Sequence, residues 1–453
     1  MRFFFRPLLF TFCLVNIFSC NTTKKTINSQ TPTGIKALRF LSEYDVPYNM
    51  PFNQTTVGGL SGIDFDKGND CYYLICDDRS AINAARFYTA KIFISSAKID
   101  SVRFTNVTEL LQPGGHPYPN SSVDPYHTPD PEALRYDPFR KQMTWSSEGE
   151  RILKTKDTVL EDPAINVITP GGKFIDSFPL PSLFAMQKIP KGPRQNGVLE
   201  GLTFADNYQS LYANVEEPLF EDGPRADIFE NNAFIRILKF DVNSKRNTRQ
   251  YAYRLDPVAY PASPVDAFKI NGIPDILYIG NKRLLVIERS FSTGHLPCTI
   301  KVFISNLAKA TDVKNIASLK DVPAFTPLTK TLLLNMDDLG IYIDNIEGVT
   351  FGPMLPNGHK TLLFVSDNNF SEKQKTQLLL FEIMEASDFR NIFHDFILKS
   401  GFFSVPALKH PGTDFLKGMP LISFLPELVL SHTPNRPCYA TPLSYDHLMN
   451  LIP

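Results

Sequence analysis

One short pattern returns five times along this chain, and it constrains the fold more than any other feature. The run LEGLTFADNYQSLYANVEEPL, from Leu199, sets Glu200 before a strand-like segment and Glu216 and Glu217 after the next one. A second version begins at Ile346, IEGVTFGPMLPNGHKTLLFVSDNN. There Glu347 and Gly348 match Glu200 and Gly201, and Asp367 falls near the place of Glu216. Related openings at Gly59, Glu132 and Asp275 complete the set, with steps of 73, 68, 75 and 72 residues. Each unit reads as a short apolar strand, a polar turn, and a second apolar run ending in a mostly acidic cluster. A third strand follows, RILKFDV in the third unit, and then a weaker fourth.

Units of this kind cannot bury their apolar faces alone and must stack on one another. Four antiparallel strands per unit, repeated around an axis, describe a β-propeller. The step exceeds the roughly 40 to 50 residues of common blades. Inserts such as LQPGGHPYPNSSVDPYHTPDP and EEPLFEDGPRADIFENN account for the excess. The expectation is an all-β propeller of five elaborate blades over residues 36–385. The alternative is a sixth, degenerate strand set, with PAFTPLTKTLLLNM as its candidate. The fifth unit ends one strand short after LLLFEI, and a spare strand, IKALRFLSEYDV, precedes the first. Joining the two would close the ring and leave no open sheet edge.

With 43% hydrophobic and 21% charged residues, the chain is ordinary globular material. A net charge of -1 argues against a nucleic-acid partner. At the N-terminus, Arg2 and Arg6 precede an apolar run from Pro7 to Phe18, which reads as a signal peptide over residues 1–19. The sequence IFSC resembles a bacterial lipobox, which makes Cys20 the expected lipidated residue and residues 20–35 a polar tether. Such a chain would be exported and anchored in the membrane of the bacterial cell envelope, facing the periplasm or the outside. Simple secretion with cleavage near Ser19 is the competing reading. Residues 386–453 carry eight prolines and none of the repeat pattern, and no role is assigned to them. Cys71 and Cys76 are five apart in one strand, so they face opposite sides and do not pair. No zinc spacing occurs.

In a propeller, equivalent loops gather on one face around the axis. That would bring together Asp77 and Asp78, Glu148, Glu216 and Glu217, Glu288, and Asp367 with Asn368. The opening carboxylates Glu132, Glu200, Asp275 and Glu347 would lie near them. So many carboxylates in one cleft repel, and need cations, arginines or protons. Oxygen donors without histidine or thiolate suit Ca²⁺ rather than zinc. The expected metal ligands are Asp77, Asp78, Glu148, Glu200, Glu216, Glu288, Glu347 and Asp367. Arg79, Arg151 and Arg289 each follow an acidic residue. Their planar forks suit a carboxylate or a phosphate. The expected catalytic group is Asp77, Asp78 and Glu216, with Arg79 and Arg289 on a small anionic ester. The competing reading pins blades together with these same groups, in a non-catalytic propeller that binds a ligand or a protein partner.

The segments GGLSGIDFD…CYYLICDDR, LEGLTFADNYQSLYANVEEPL, KRLLVIERSF and NIEGVTFGP…LLFVSDNNF resemble the phytase-like family, whose members are described as having esterase-like activity of phytase. The likeness runs from about Leu38 to Ile383. It implies a propeller, export and, more loosely, phosphoric ester hydrolysis. The family's recurrent polar positions fall here on Asp77, Asp78, Arg79, Glu132, Glu148, Glu200, Glu216, Glu288, Arg289, Glu347, Asp367 and Asn368. One departure is TWSSEGE, which has Ser147 where an Asp beside the Glu is the more usual form.

Overall fold

A computed structural model describes residues 34–154, 157–320, 325–386 and 388. The leader, Cys20, most of the tether and nearly all of the proline-rich tail lie outside the described residues. The rest forms five antiparallel sheets of four or five strands and two short two-stranded ribbons, Met50–Phe52 with Thr55–Val57 and Glu150–Leu153 with Thr158–Glu161. Blade 1 is Leu60–Asp66, Cys71–Cys76, Arg86–Ser95 and Lys98–Glu109. Blade 2 is Pro131–Asp137, Gln142–Ser147, Ala164–Ile168 and Phe174–Ser177. Blade 3 is Leu199–Ala205, Ser210–Val215, Phe234–Asp241 and Asn247–Arg254. In blade 4 the inner strand is broken into Lys269–Gly272 and Ile276–Tyr278, followed by Arg283–Ser292, His295–Asn306 and Thr329–Asn335. Blade 5 is Asn345–Phe351, Thr361–Asp367 and Thr376–Glu385, completed by the N-terminal strand Ile35–Val46. The ring therefore closes through the spare strand, whose register runs from Ile35 opposite Glu385 to Val46 opposite Thr376. Among the described residues there is no sixth blade: within the candidate segment PAFTPLTKTLLLNM, the run TKTLLLN is the outer strand of blade 4.

Middle strands are apolar on both sides because both sides are covered. Leu284 and Val286 join the core toward blade 3, while Leu285 and Ile287 join the core toward blade 5. Tyr73 and Ile75 likewise face blade 2, and Leu74 faces blade 5. Cys71 and Cys76 are both buried and unpaired in their strand. This alternation is why CYYLIC and TLLFVSD are almost uninterrupted apolar runs.

Four of the inner strands begin with a bulge, between Leu60 and Gly62, Pro131 and Leu134, Leu199 and Leu202, and Ile346 and Gly348. A bulge re-aims the side chain it carries, here Ser61, Glu132, Glu200 and Glu347. The glycine of the EG pair has a separate cause. A Cβ on Gly201 would sit 2.7 Å from Asp275 Cα, and one on Gly348 would sit 3.1 Å from Gly62 Cα. Neighbouring inner strands pass too closely there for any side chain.

Directly past the bulges, the axis is closed by Arg135 of blade 2. Its Nε donates to Leu202 O of blade 3 at 2.6 Å, and its Nη1 donates to Ile63 O of blade 1. Its Nη2 donates to Val349 O of blade 5 at 3.3 Å and to Asp275 of blade 4 at 2.8 and 2.6 Å. Asp275 in turn accepts from Val349 N at 2.9 Å and Ile276 N at 2.8 Å. One buried guanidinium thus touches the inner strand of every other blade. Removing one member of a buried pair leaves the other uncompensated, at a cost of about 3 to 5 kcal/mol. Arg135→Leu should therefore lose stability of that order in urea unfolding. Pairing it with Asp275→Asn should recover part of the loss. An unchanged midpoint for Arg135→Leu would remove the axial role.

Candidate metal centre at the propeller axis

The register of the sheets explains which side chains reach the axis. Just past each bulge or break, equivalent inner-strand residues pair as Ile63 with Leu74, Leu134 with Trp145, Leu202 with Ala213, Ile276 with Val286 and Val349 with Phe364. Three residues farther along each second strand stand Asp77, Glu148, Glu216, Arg289 and Asp367. Four blades place a carboxylate at this point, and blade 4 places an arginine. The bulged residues Glu132, Glu200 and Glu347 face the same space, and Asp130 joins them from just before the inner strand of blade 2.

Within this group, one carboxylate oxygen each from Asp130, Glu132 and Glu148 lie within 4.8 Å of one another. Glu148 also accepts from Val198 N at 2.6 Å, and its carboxyl lies in hydrogen-bond reach of Glu200. Two carboxyls in such contact must share a proton. Asp77 lies beside Asp367, which accepts from Asn369 N at 2.9 Å and leaves Oδ2 buried without a partner. Among the described residues, no N–H or O–H donor reaches the Glu132 carboxyl, and the contact of Glu200 is with another carboxyl, that of Glu148. The central positive charge is Arg289. Its Nη2 pairs with Glu216 at 2.5 Å, and its Nη1 donates to Asn345 Oδ1 at 2.5 Å and to Glu347.

Burial and like charge push these carboxyls out of their usual range. Asp77 is pushed up to about 7 by burial and then by Glu347 and Asp78. Glu148 is pushed up to about 7 by burial, with Glu216 adding to the effect. Burial, then the neighbouring carboxylates, holds Glu132 and Glu200 well above the ordinary carboxylate value. The donors are all oxygen, several are unpartnered, and they are close enough to chelate. The site therefore fits a hard divalent cation.

Not every residue expected at the site is brought to it. Asp78 is committed elsewhere: it pairs with Arg86 at 2.7 Å and accepts from the backbone N–H groups of Ala81, Ile82 and Asn83. Glu288 precedes Arg289, so strand alternation turns it to the opposite face of the sheet. There it accepts from Tyr253 Oη at 2.6 Å, Lys330 Nζ at 2.5 Å and Asn271 Nδ2 at 2.8 Å. Arg79 stands at the edge of the group, bonded to Glu150 and 3.8 Å from Asp130. Asp275 lies beneath the group as the partner of Arg135. Ser147, the departure from the family pattern, accepts from Asp130 N at 3.0 Å and so seats that carboxylate. Asp130 itself was the site residue the repeat pattern missed. Its signal was present, because residues 130 and 132 are two apart in an extended chain and share a side.

The titration of the cluster makes a signed prediction. Unfolded carboxyls titrate near 4, whereas Asp77 and Glu148 do so at about 7 in the fold. The folded state therefore holds more protons between these values, and its stability falls as pH rises through that window. With a chelator present, the thermal midpoint should decline from pH 5 to pH 8. Added Ca²⁺ should raise it at pH 8, where the ligands are ionised, and do little at pH 5. A midpoint insensitive to Ca²⁺ at both pH values would contradict the cation site.

Comparison with known proteins follows the same lines. No curated protein matches the chain in sequence. Among solved structures, an exo-β-1,3-galactanase from Phanerochaete chrysosporium aligns at 12% identity and TM-score 0.40, over 76% of this chain and 65% of that one. The periplasmic gluconolactonase of Pseudomonas aeruginosa aligns at 11% identity and TM-score 0.31, over 73% and 87%. A β-fructofuranosidase from Bombyx mori aligns at 9% identity and TM-score 0.37, over 72% and 60%. These likenesses are too distant to bear on function. The sequence model of the phytase-like family, described as esterase-like activity of phytase, matches residues 55–370, which span every axial carboxylate named above. The chain belongs to the phytase-like family.

Proposed function

We propose that this protein is a Ca²⁺-dependent phosphoric ester hydrolase, exported and lipid-anchored through Cys20 in the bacterial cell envelope. The observation that carries the reading is the convergence of Asp130, Glu132 and Glu148 within chelating distance, among further carboxyls with no donor to neutralise them. A cluster made only to pin blades would have its oxygens satisfied by N–H groups or arginines. Glu132 has neither, and Glu200 meets only the carboxyl of Glu148.

In this reading Asp130, Glu132 and Glu148 hold the cation, with Glu200 and Glu216 beside them. A divalent cation there supplies Lewis acidity toward a phosphoryl oxygen and lowers the pKa of bound water. Asp77, titrating at about 7, can accept or return a proton at neutral pH. Arg289 is held by Glu216 and Glu347 and is the positive charge that an ester anion at the mouth would meet. Arg79 positions Asp130 through their ion pair. Without the cation the mouth repels any anion, which is the physical reason for the metal requirement. The chain enters the propeller at Ile35, opposite Glu385, and this end of blade 5 is the one away from Asp367.

A second reading has one specific observation in its favour. Arg289 and Arg79 are both already paired to carboxylates, as in a non-catalytic ligand- or protein-binding propeller.

Hydrolysis of a panel of phosphate and carboxylate esters separates the two. The parent should cleave phosphoesters only with Ca²⁺ and lose activity in chelator. Glu132→Gln should raise the Ca²⁺ needed and be partly rescued by excess. Asp77→Asn should lower kcat by about 10²-fold or more, the usual scale for a lost acid–base group. If the parent cleaves no ester with or without Ca²⁺, the hydrolase reading is wrong and the binding reading replaces it.

A further inference from the structure

Beside the carboxylate mouth, between blades 2 and 3, two arginines flank one aromatic ring and a third pairs with Glu217 near them. Arg151 lies on the short strand Glu150–Leu153, which leaves blade 2 just after Glu148. Arg194 precedes the inner strand of blade 3, and Arg225 and Phe220 lie on the insert that follows Glu216 and Glu217. The guanidinium carbons of Arg151 and Arg194 lie 5.1 and 4.3 Å from the centre of the Phe220 ring. Like charges held together need fixing, and backbone carbonyls supply it. Arg151 Nε donates to Gln187 O at 2.9 Å, and its Nη2 donates to Lys188 O at 3.3 Å and Ile189 O at 3.2 Å. Arg194 Nε donates to Pro218 O at 2.8 Å, and its Nη2 donates to Gly223 O at 3.0 Å. Arg225 Nε is 2.8 Å from Glu217 Oε2, and its side chain is 41% exposed.

Each fork is thus anchored by part of its donor set. Nη1 of Arg151, Nη1 of Arg194 and both Nη atoms of Arg225 have no partner among the described residues. None of them is a buried orphan. They are solvent-reachable donors held in place by bonds that do not use them. Glu217 and Glu221 are the acids that face the group, and Glu221 is turned back onto Gly192 N at 2.9 Å. Arginine forks fixed beforehand lose little freedom on meeting a phosphate or carboxylate.

We propose that Arg151, Arg194 and Arg225 form a second anion subsite beside the axial mouth. The class of ligand it selects is a molecule with at least two anionic groups, one at the axis and one on this arginine shoulder. Its description as a substrate rests on the hydrolase reading above, whereas the binding of an anion by the shoulder does not. A singly charged ester would use the axis alone and gain nothing from the shoulder.

The test is calorimetric titration of the full chain with inorganic tripolyphosphate in the presence of EDTA. Chelation leaves the axial carboxylates repulsive, so only the shoulder can bind. The parent should show saturable binding. Arg225→Gln and Arg151→Gln should each weaken it about tenfold or more, the scale of a lost charge-assisted contact. Lys98→Gln, an exposed charge removed from the outer strand of blade 1, should leave it unchanged. Both arginine variants are to be compared at unchanged thermal midpoints. If either does not fold, Arg225→Lys, which keeps the charge and loses the fork, replaces it and should weaken binding less than Arg225→Gln. No binding by the parent, or equal binding by the parent and both arginine variants, overturns the subsite. Binding in EDTA by a chain that cleaves no ester with Ca²⁺ supports the subsite and overturns only the hydrolase reading.

Discussion

The contact between Arg135 and its surroundings organises this molecule. The inner strands of blades 1, 3 and 5 present carbonyls toward a common axis, and such a group with no donor at its centre would be costly to bury. Arg135 supplies the donors from within blade 2, and Asp275 supplies the countercharge from blade 4. The pair does more than hold blades together. It occupies the axis itself, with the inner-strand carbonyls of three other blades bonded to it. The break in the inner strand of blade 4, between Gly272 and Ile276, is where Asp275 leaves the sheet register to reach the arginine.

The candidate functional groups gather next to that pair. The bulges aim Glu132, Glu200 and Glu347 inward, and the ends of the second strands add Asp77, Glu148, Glu216 and Asp367. Blade 4 breaks the pattern with Arg289, which offsets part of the charge. What remains has three ways to be relieved: protonation, as in the contact between Glu148 and Glu200; pairing with Arg289; or a bound cation. The first weakens as pH rises, and the second is already used by Glu216 and Glu347. The third is the one left for Glu132 and its neighbours at neutral pH. A charge problem of this kind is tolerated in a stable fold where function maintains it.

Much of this was legible in the sequence, for a definite reason. The repeat is local, so the EG openings, the acidic second-strand ends and the spare first strand announced a closed five-bladed ring. Gly201 and Gly348 were visible as a motif, although their cause, the close passage of neighbouring inner strands, was not. What could not be read depends on contacts between blades. Arg135 looks like an ordinary charged residue in ALRYD, because its partners lie in four other blades. Asp78 and Glu288 looked equivalent to Asp77 and Arg289 because adjacent residues cannot be told apart without the strand's facing. The pleat then sends one of each pair to the axis and the other to Arg86 or to Tyr253 and Lys330. Asp130 was overlooked because it lies just outside the strand that carries the pattern.

The central claim is that the carboxylates above the Arg135–Asp275 pair are a cation site and not a set of protonated spacers. Long-wavelength diffraction from crystals grown at pH 8 with Ca²⁺ tests it most directly. The account predicts an anomalous peak bounded by carboxylate oxygens of Asp130, Glu132 and Glu148, at roughly 2.3 to 2.6 Å from each. A map with no peak there, and with carboxyl groups bonded to one another by short O–H···O contacts, would contradict it.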